Sequence, residues 1–541
     1  MESEGEVISS SRESDAVPRL RPLRTNRIQE GTIPSTSYLE ESWKDEPMTP
    51  AGRVFIDPVF DCVCVCILGF KEPLDTETFK NHVEMTIMKH KRFSSKVETR
   101  KGRPWWTQVK ADVNDHVLDV QLTPEQIADK DIVLNYTTDV ILHKPFDKSK
   151  PLWDIHLLDA HLGEAVSCAI VRIHHALGDG TSLISLLMAC TRKSGKPDVL
   201  PTLPAASKGS PKNSPSFFAR LFLAICNIFL IFWHSLTEIG KFMASLIWLK
   251  DSETPIKGAA GCEHSPKKYR FATIQVEDLK YVSKAVGGGA TINDVYIAMA
   301  AIGLRKYMDY RIEKDASVEG NKPLPTVDAS KTEPSETAAI HSAETLSKFK
   351  KLDKARVRAL ALINTRPAPG LPELADMMNG AASQARWGNH MGYLLLELPI
   401  KHHEDPLHIV REAMAIGNRK KSSLEGPFTY ASGSLTMSLV GEKIATKLVY
   451  RSAVHTTLSM SNVKGPSQEV TFAENPITHI IPSVIGQPHA LCLHLQSYNG
   501  QIFLVGMATK SVIPDPEYVL QLCVEGLQEM KKAAAKVLES K

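Results

Sequence analysis

The chain has 541 residues and a mass of 59.7 kDa, long enough for two domains with sizeable cores and too long for a small binding module. Hydrophobic residues at 43%, charged residues at 23% and a mean hydropathy of -0.15 exclude both a globally disordered chain and a polytopic membrane protein. Lys and Arg total 64 against 61 Asp and Glu, a net charge of +3 with His neutral, so the charge balance offers no footprint for nucleic acid.

Residues 1–45 mix Ser, Glu, Arg and Pro without periodicity and read as a disordered tail. The opening MESEGEVISSSRES carries acids where a secretory signal needs a basic stretch and then an apolar one, so no cleaved targeting segment is expected. A first α/β domain is expected over 46–196. Its strands are FDCVCVCIL, HVLDVQL, WDIHLLD and AVSCAIVRIHH, with helical patterns such as DTETFKNHVEMTIMKH between them. Cys62, Cys64 and Cys66 alternate and should share one strand face. Nine cysteines with no CxxC pair and no Cys/His ligand spacing read as small apolar residues of a reducing compartment, with no metal site.

Pro, Ser and Lys from Pro197 to Pro215 mark an exposed connector, taken as 197–268. Within it, 217–249 is the chain's one membrane-grade stretch. Its most apolar core, Leu221 to Trp233, is shorter than the ~20 residues of a spanning helix. If the two α/β regions share one site, a single crossing would separate them across the bilayer. An interfacial helix or a re-entrant helical pair is therefore expected. The second α/β domain is expected over 269–541. It holds a helix at TINDVYIAMAAIGLRKYM, strands at VRALALI, GYLLLELPI, HALCLHLQ and QIFLVGM, a polar mobile insertion at 313–351 and a closing amphipathic helix from about Pro516.

The strand AVSCAIVRI runs into HHALGDGTSL, which holds His174, His175, Asp179 and Gly180 ahead of a helical pattern. By residue usage alone an HHxxxDG match arises in roughly a few per thousand chains of this length. A histidine at a strand end followed by a glycine-bearing turn projects into a crevice. Adjacent histidines on a strand point to opposite faces, which argues against a metal held by both.

On these residues the chain resembles the plant-type wax ester synthase/diacylglycerol acyltransferase family, within the CoA-dependent acyltransferases of chloramphenicol-acetyltransferase-like fold. MTPAGRVF, KPFDKSKPLWDIHLLD, HHALGDGTSL, TINDVYIAM, ALINTRP, RWGNHMGYLLLELP, LSMSNVKGP and SYNGQIFLVGMATKSVIPDPE carry the resemblance. Lys464 in SNVKGP departs from the family's pattern, which commonly has a small residue or Pro there. The resemblance implies two similar α/β domains with a tunnel between them, acyl-CoA as co-substrate without a further cofactor, and an acceptor that is a long-chain fatty alcohol or diacylglycerol. It also implies a membrane-lipid partner and a cytosol-facing place on the endoplasmic reticulum or plasma membrane.

By the same resemblance the catalytic residues are His175, the general base, His174, which orients its neighbour or the backbone, and Asp179, which props the turn with Arg366 as its ion-pair partner. Gly180 leaves room for substrate. Ser459 or Ser461 would donate to the oxyanion, while Pro151, Leu152, Trp153, Asn293 and Asp294 shape fold and tunnel. Two other readings stand beside this one: an acyltransferase acting on a polar alcohol or amine, and a non-catalytic acyl-lipid binding protein.

Overall fold

The computed structural model describes residues 45–142, 144–202, 217–319, 346–365 and 387–540. The expected tail, most of the Pro/Ser/Lys connector, the middle of the expected insertion and Arg366 therefore lie outside the described residues.

The β-rich patterns of the first region assemble where expected. The strand Trp153–Leu158 is buried along its whole length and pairs antiparallel with Ser167–His174, which pairs antiparallel in turn with Val63–Phe70. With both faces covered, these strands read as near-continuous apolar runs instead of alternating. Val117–Val120 extends this seven-stranded sheet on one side by parallel pairing with Trp153–Leu158. On the other side the neighbour of Val63–Phe70 is Asn475–Ile485, which comes from the C-terminal part of the sequence. Sheet and sequence domain thus differ: residues 470–485 lie in the 269–541 segment but build the first sheet. The apolar residues Ile477, Ile480 and Ile481 are buried in the first core, which fixes them there.

A six-stranded sheet orders Met391–Glu397, Arg358–Asn364, Leu458–Lys464, Leu491–Tyr498, Gln501–Thr509 and Lys267–Gln275. The long helices Ile292–Glu319 and Pro516–Glu539 pack together against it, so closely that a Cβ on Gly526 would lie 2.8 Å from Ile302. The helix to Glu319 enters the segment expected as a mobile insertion, and residues 346–353 are helical as well. Continuous apolar packing of Tyr307, Met308 and Ile312 carries the first of these helices past its predicted end.

The apolar stretch forms one continuous helix, Phe217–Ile247. The re-entrant pair is not observed, because Phe217–Ile247 contains no proline and only Gly240 as a helix-weakening residue. A third apolar cluster joins Phe242 of this helix to Met391 of the six-stranded sheet, to Met437 and Ala445, and to Phe55 and Phe60 of the first region.

Candidate active site

The strand Ser167–His174, paired on both sides, delivers both histidines at its C-terminal end. There the backbone N–H of His174 donates to the Leu152 carbonyl at 2.9 Å and that of His175 to the Cys62 carbonyl at 2.8 Å. The chain then turns into the helix Gly180–Cys190. Asp179 is its N-cap, and its Oδ1 accepts from the Ser182 N–H at 2.9 Å, which satisfies one of the donors that a helix start leaves free. Its Oδ2 accepts from the His390 N–H at 3.1 Å. The Asp179 carboxylate is 3% exposed, so it ties the turn to the second half of the chain from inside. The partner expected for it, Arg366, lies outside the described residues.

The two histidines diverge. His174 places Nε2 3.2 Å from Asp61 Oδ1 while its Nδ1 accepts from the Ala176 N–H at 3.1 Å. His175 instead packs its ring on Phe55, centroids 4.2 Å apart, and lines the central cavity. Its Nδ1 is buried and makes no hydrogen bond of ordinary geometry to another described residue, with the Asn389 side chain near enough to favour the protonated form. Burial is the main influence on the imidazole and lowers its pKa from the ordinary value, while its own carbonyl and the Asp179 charge pull the other way.

Residues 387–390 clamp this loop. The Trp387 indole N–H donates to the Leu177 carbonyl at 2.8 Å. The Asn389 amide donates to the carbonyls of His175 at 2.8 Å and Ala176 at 3.1 Å, and Ser182 Oγ donates to the Gly388 carbonyl at 3.2 Å. A Cβ on Gly178 would stand 3.1 Å from the Trp387 ring, whereas one on Gly180 would meet only Val463, at 3.7 Å. A side chain at Gly178 would thus press on the clamp, while Gly180 leaves open space along the cavity wall. Sequence reasoning had RWGNHMG as a resemblance motif and gave it no place in the site; no local pattern couples it to a loop more than two hundred residues earlier.

The cavity, of about 560 Å³, lies between the two sheets and is lined largely by apolar side chains such as Ile173, Leu183, Leu187, Leu360 and Leu362. Trp153, Asn293, Asp294, Ser459 and Ser461 also line it. Trp153 is anchored by its indole N–H to the Phe93 carbonyl at 2.8 Å, and Pro151 and Leu152 are buried beside it. Asp294 caps its helix by accepting from the N–H and Oγ1 of Thr291, at 2.7 and 2.8 Å. Asn293 Oδ1 accepts from the Asn462 amide at 2.5 Å.

Ser459 Oγ is buried, with the Cys492 thiol as its neighbour, while Ser461 Oγ lies 2.6 Å from His494 Nδ1. His494, which sequence reasoning missed, is held neutral by burial, with its pKa lowered to about 4. Among the described residues the group His403, His408 and Glu412 could hold a metal, but it does not line the cavity.

Two mixed sheets facing each other across an apolar cavity, with a buried histidine at a strand end, define a CoA-dependent acyltransferase fold. The structure matches the wax ester synthase/diacylglycerol acyltransferase from Marinobacter aquaeolei VT8 with a TM-score of 0.52 at 17% identity, over 91% of this chain and 100% of that one. It also matches the first condensation domain of the calcium-dependent antibiotic synthetase, with a TM-score of 0.51 at 14% identity, over 91% and 97% of the two chains. Residues 71–296 match the wax ester synthase/diacylglycerol acyltransferase catalytic domain and residues 387–531 the WS/DGAT C-terminal domain. In Arabidopsis thaliana, wax ester synthase/diacylglycerol acyltransferase 11 is 35% identical over 504 residues, 92% of this chain and 96% of that protein. Wax ester synthase/diacylglycerol acyltransferase 6 of the same plant is 33% identical over 532 residues, 94% and 98% of the two chains. The chain belongs to the wax ester synthase/diacylglycerol acyltransferase family.

Proposed function

We propose that this protein transfers a fatty acyl group from acyl-CoA to a long-chain fatty alcohol, forming a wax ester, with diacylglycerol as a second acceptor. The observation that carries the reading is the His175 imidazole, set into an apolar cavity and kept neutral by burial. A thioester is already activated, and what the reaction lacks is a nucleophile. The imidazole nitrogen on the cavity side takes the alcohol's proton as its oxygen attacks the thioester carbonyl; the C–S bond then breaks and the same proton passes to the CoA sulfur. Atoms and charge balance with acyl-CoA as co-substrate and no further cofactor.

Asp179 acts as a positioning residue, with His174 and the 387–390 clamp fixing the loop around the base. Ser459 Oγ is the better placed of the two hydroxyls to donate to the tetrahedral oxyanion, because Ser461 is engaged by His494. Acyl-CoA and alcohol enter from opposite mouths of the cavity, and the protein works on the cytosolic face of the endoplasmic reticulum membrane, which the exposed apolar helix supports. The apolar lining disfavours a polar alcohol or amine as acceptor. A base in place disfavours a role in binding alone.

Purified protein incubated with radiolabelled palmitoyl-CoA and a panel of hexadecanol, diacylglycerol, a short alcohol and an amine tests the reading. Wax ester should dominate, and His175→Ala should lower its formation by roughly 10²–10⁴-fold while acyl-CoA still binds. Transfer to the amine alone, or a His175→Ala variant of full activity, would overturn it.

A further inference from the structure

The helix Phe217–Ile247 is inverted. Where it docks on the C-terminal half it buries Ser235, Glu238, Phe242 and Ser245, while Leu236, Met243, Ile247 and the following Trp248 are 56%, 43%, 55% and 66% exposed. The exposed row continues towards the N-terminus through Phe232, Phe229 and Phe222 at helical spacing. A helix in water turns its polar side outwards. Here the polar side is the attachment: Glu238 pairs with Arg419 at 2.8 Å and with Lys420, and Ser235 Oγ accepts from the Leu424 N–H at 2.9 Å.

We propose that this helix lies along one leaflet of a lipid bilayer, apolar row inwards, and docks the protein on anionic lipid. Length argues against a crossing: residues 217–233, which project from the protein, span ~25 Å at 1.5 Å per residue, short of the ~30 Å hydrocarbon core. Extending the crossing through the docked half would carry Glu238 and its cations into hydrocarbon. Charge argues for the lipid. Between Phe217 and Lys250 the one acid, Glu238, is buried and paired, whereas Arg220 and Lys250 are exposed near the two ends. That is the complement of an anionic headgroup layer.

Behind the docked side of the helix, apolar packing continues towards the base. Phe242 on the helix packs in one cluster with Met437, Met391, Leu360 and Phe55; Leu360 and Met391 also line the cavity, and Phe55 packs on His175. Docking on the leaflet therefore holds the cavity close to a lipophilic acceptor dissolved there. This last step rests on the acceptor class proposed above; the docking does not.

Full-length protein is sedimented with vesicles of phosphatidylcholine, with and without phosphatidylserine, and no substrate present. Binding should be stronger with phosphatidylserine. The triple variant Leu236→Glu/Met243→Glu/Ile247→Glu should bind about tenfold or more weakly with an unchanged melting temperature, since these side chains face outwards. It should lose transfer to vesicle-borne hexadecanol more than transfer to a short, water-soluble alcohol. Brominated lipids place the helix in depth: quenching lost in Trp233→Phe should come from bromines near the headgroups.

Strongest quenching of a tryptophan placed by Ile225→Trp in the Trp233→Phe background, midway along the projecting 217–233, by bromines at the chain ends would mean a span and overturn the proposal. So would unchanged vesicle binding by the triple variant, or a vesicle-independent dimer that the three glutamates abolish, which would assign the row to a second copy. Absence of any acyl transfer by the wild type would overturn the proposed function and leave the vesicle result standing.

Discussion

The side-chain amide of Asn389 donates at 2.8 Å to the carbonyl oxygen of His175, across the boundary between the two halves of the chain. Asn389 is fully buried, and a second bond to the Ala176 carbonyl makes it a two-point brace under the loop that carries the proposed base. Asn389→Ala would leave two buried carbonyls unpaired, at about 1–3 kcal/mol for each group so stranded. The expected outcome is a lower melting temperature together with a fall in kcat that exceeds any rise in KM, measured with hexadecanol at saturating acyl-CoA. An unchanged kcat would show that the brace does not position His175.

Asp179 accepts two backbone N–H groups, one from its own helix and one from His390. Asp179→Ala removes both acceptors in a buried setting, and hydrogen bonds to a charged group are worth about 1.5–3 kcal/mol each. Folded yield and stability to denaturant should drop at least as far as specific activity. A fully stable and inactive variant would place Asp179 in the chemistry itself.

The pH dependence of kcat/KM follows from the burial of His175. Its pKa is lowered from the ordinary ~6.5, so the neutral, proton-accepting form persists below that pH. The acid limb should therefore fall below pH ~6.5. Phe55→Ala opens the face on which the imidazole packs and lets water in, so the limb should shift upwards in pH. A limb at or above the ordinary histidine value in the wild type would count against His175 as base.

Two further buried histidines tie stability to pH. Burial lowers the pKa of His489 to about 3 and of His494 to about 4. Unfolded, both regain the ordinary value, so below pH ~6.5 the unfolded chain binds more protons and stability is lost as pH falls. At pH 5 each should contribute a loss of roughly 2 kcal/mol relative to pH 7.5. Denaturant titrations at the two pH values measure it, and His489→Phe should flatten the difference. Equal stability at both would contradict the buried neutral state.

The membrane-grade stretch and the histidine loop were both legible in the sequence. In each case the signal is local: a run of Phe, Leu and Ile dense enough to stand out, and a strand that ends on His-His with glycine and a capping aspartate a few residues on. Such patterns depend on neighbouring side chains and on backbone preferences, which short windows already contain. The strands Trp153–Leu158 and Ser167–His174 are of the same kind.

What the tertiary structure decided is the set of partners that sit far away along the chain. Nothing near Trp387 or Asn389 says that their amide and indole groups will meet the carbonyls of residues 175–177. Nothing around Asn475 says that its strand leaves its own half to pair with Val63–Phe70. For the apolar stretch the sequence leaves an interfacial helix and a re-entrant pair both open; the structure forms one helix, draws Glu238 inwards to Arg419 and Lys420, and leaves most of the apolar side chains outside. These outcomes are chosen by burial and hydrogen-bond satisfaction over the whole molecule. A buried carbonyl must find a donor wherever the fold brings one, and a stretch of sequence carries no record of which distant segment that will be.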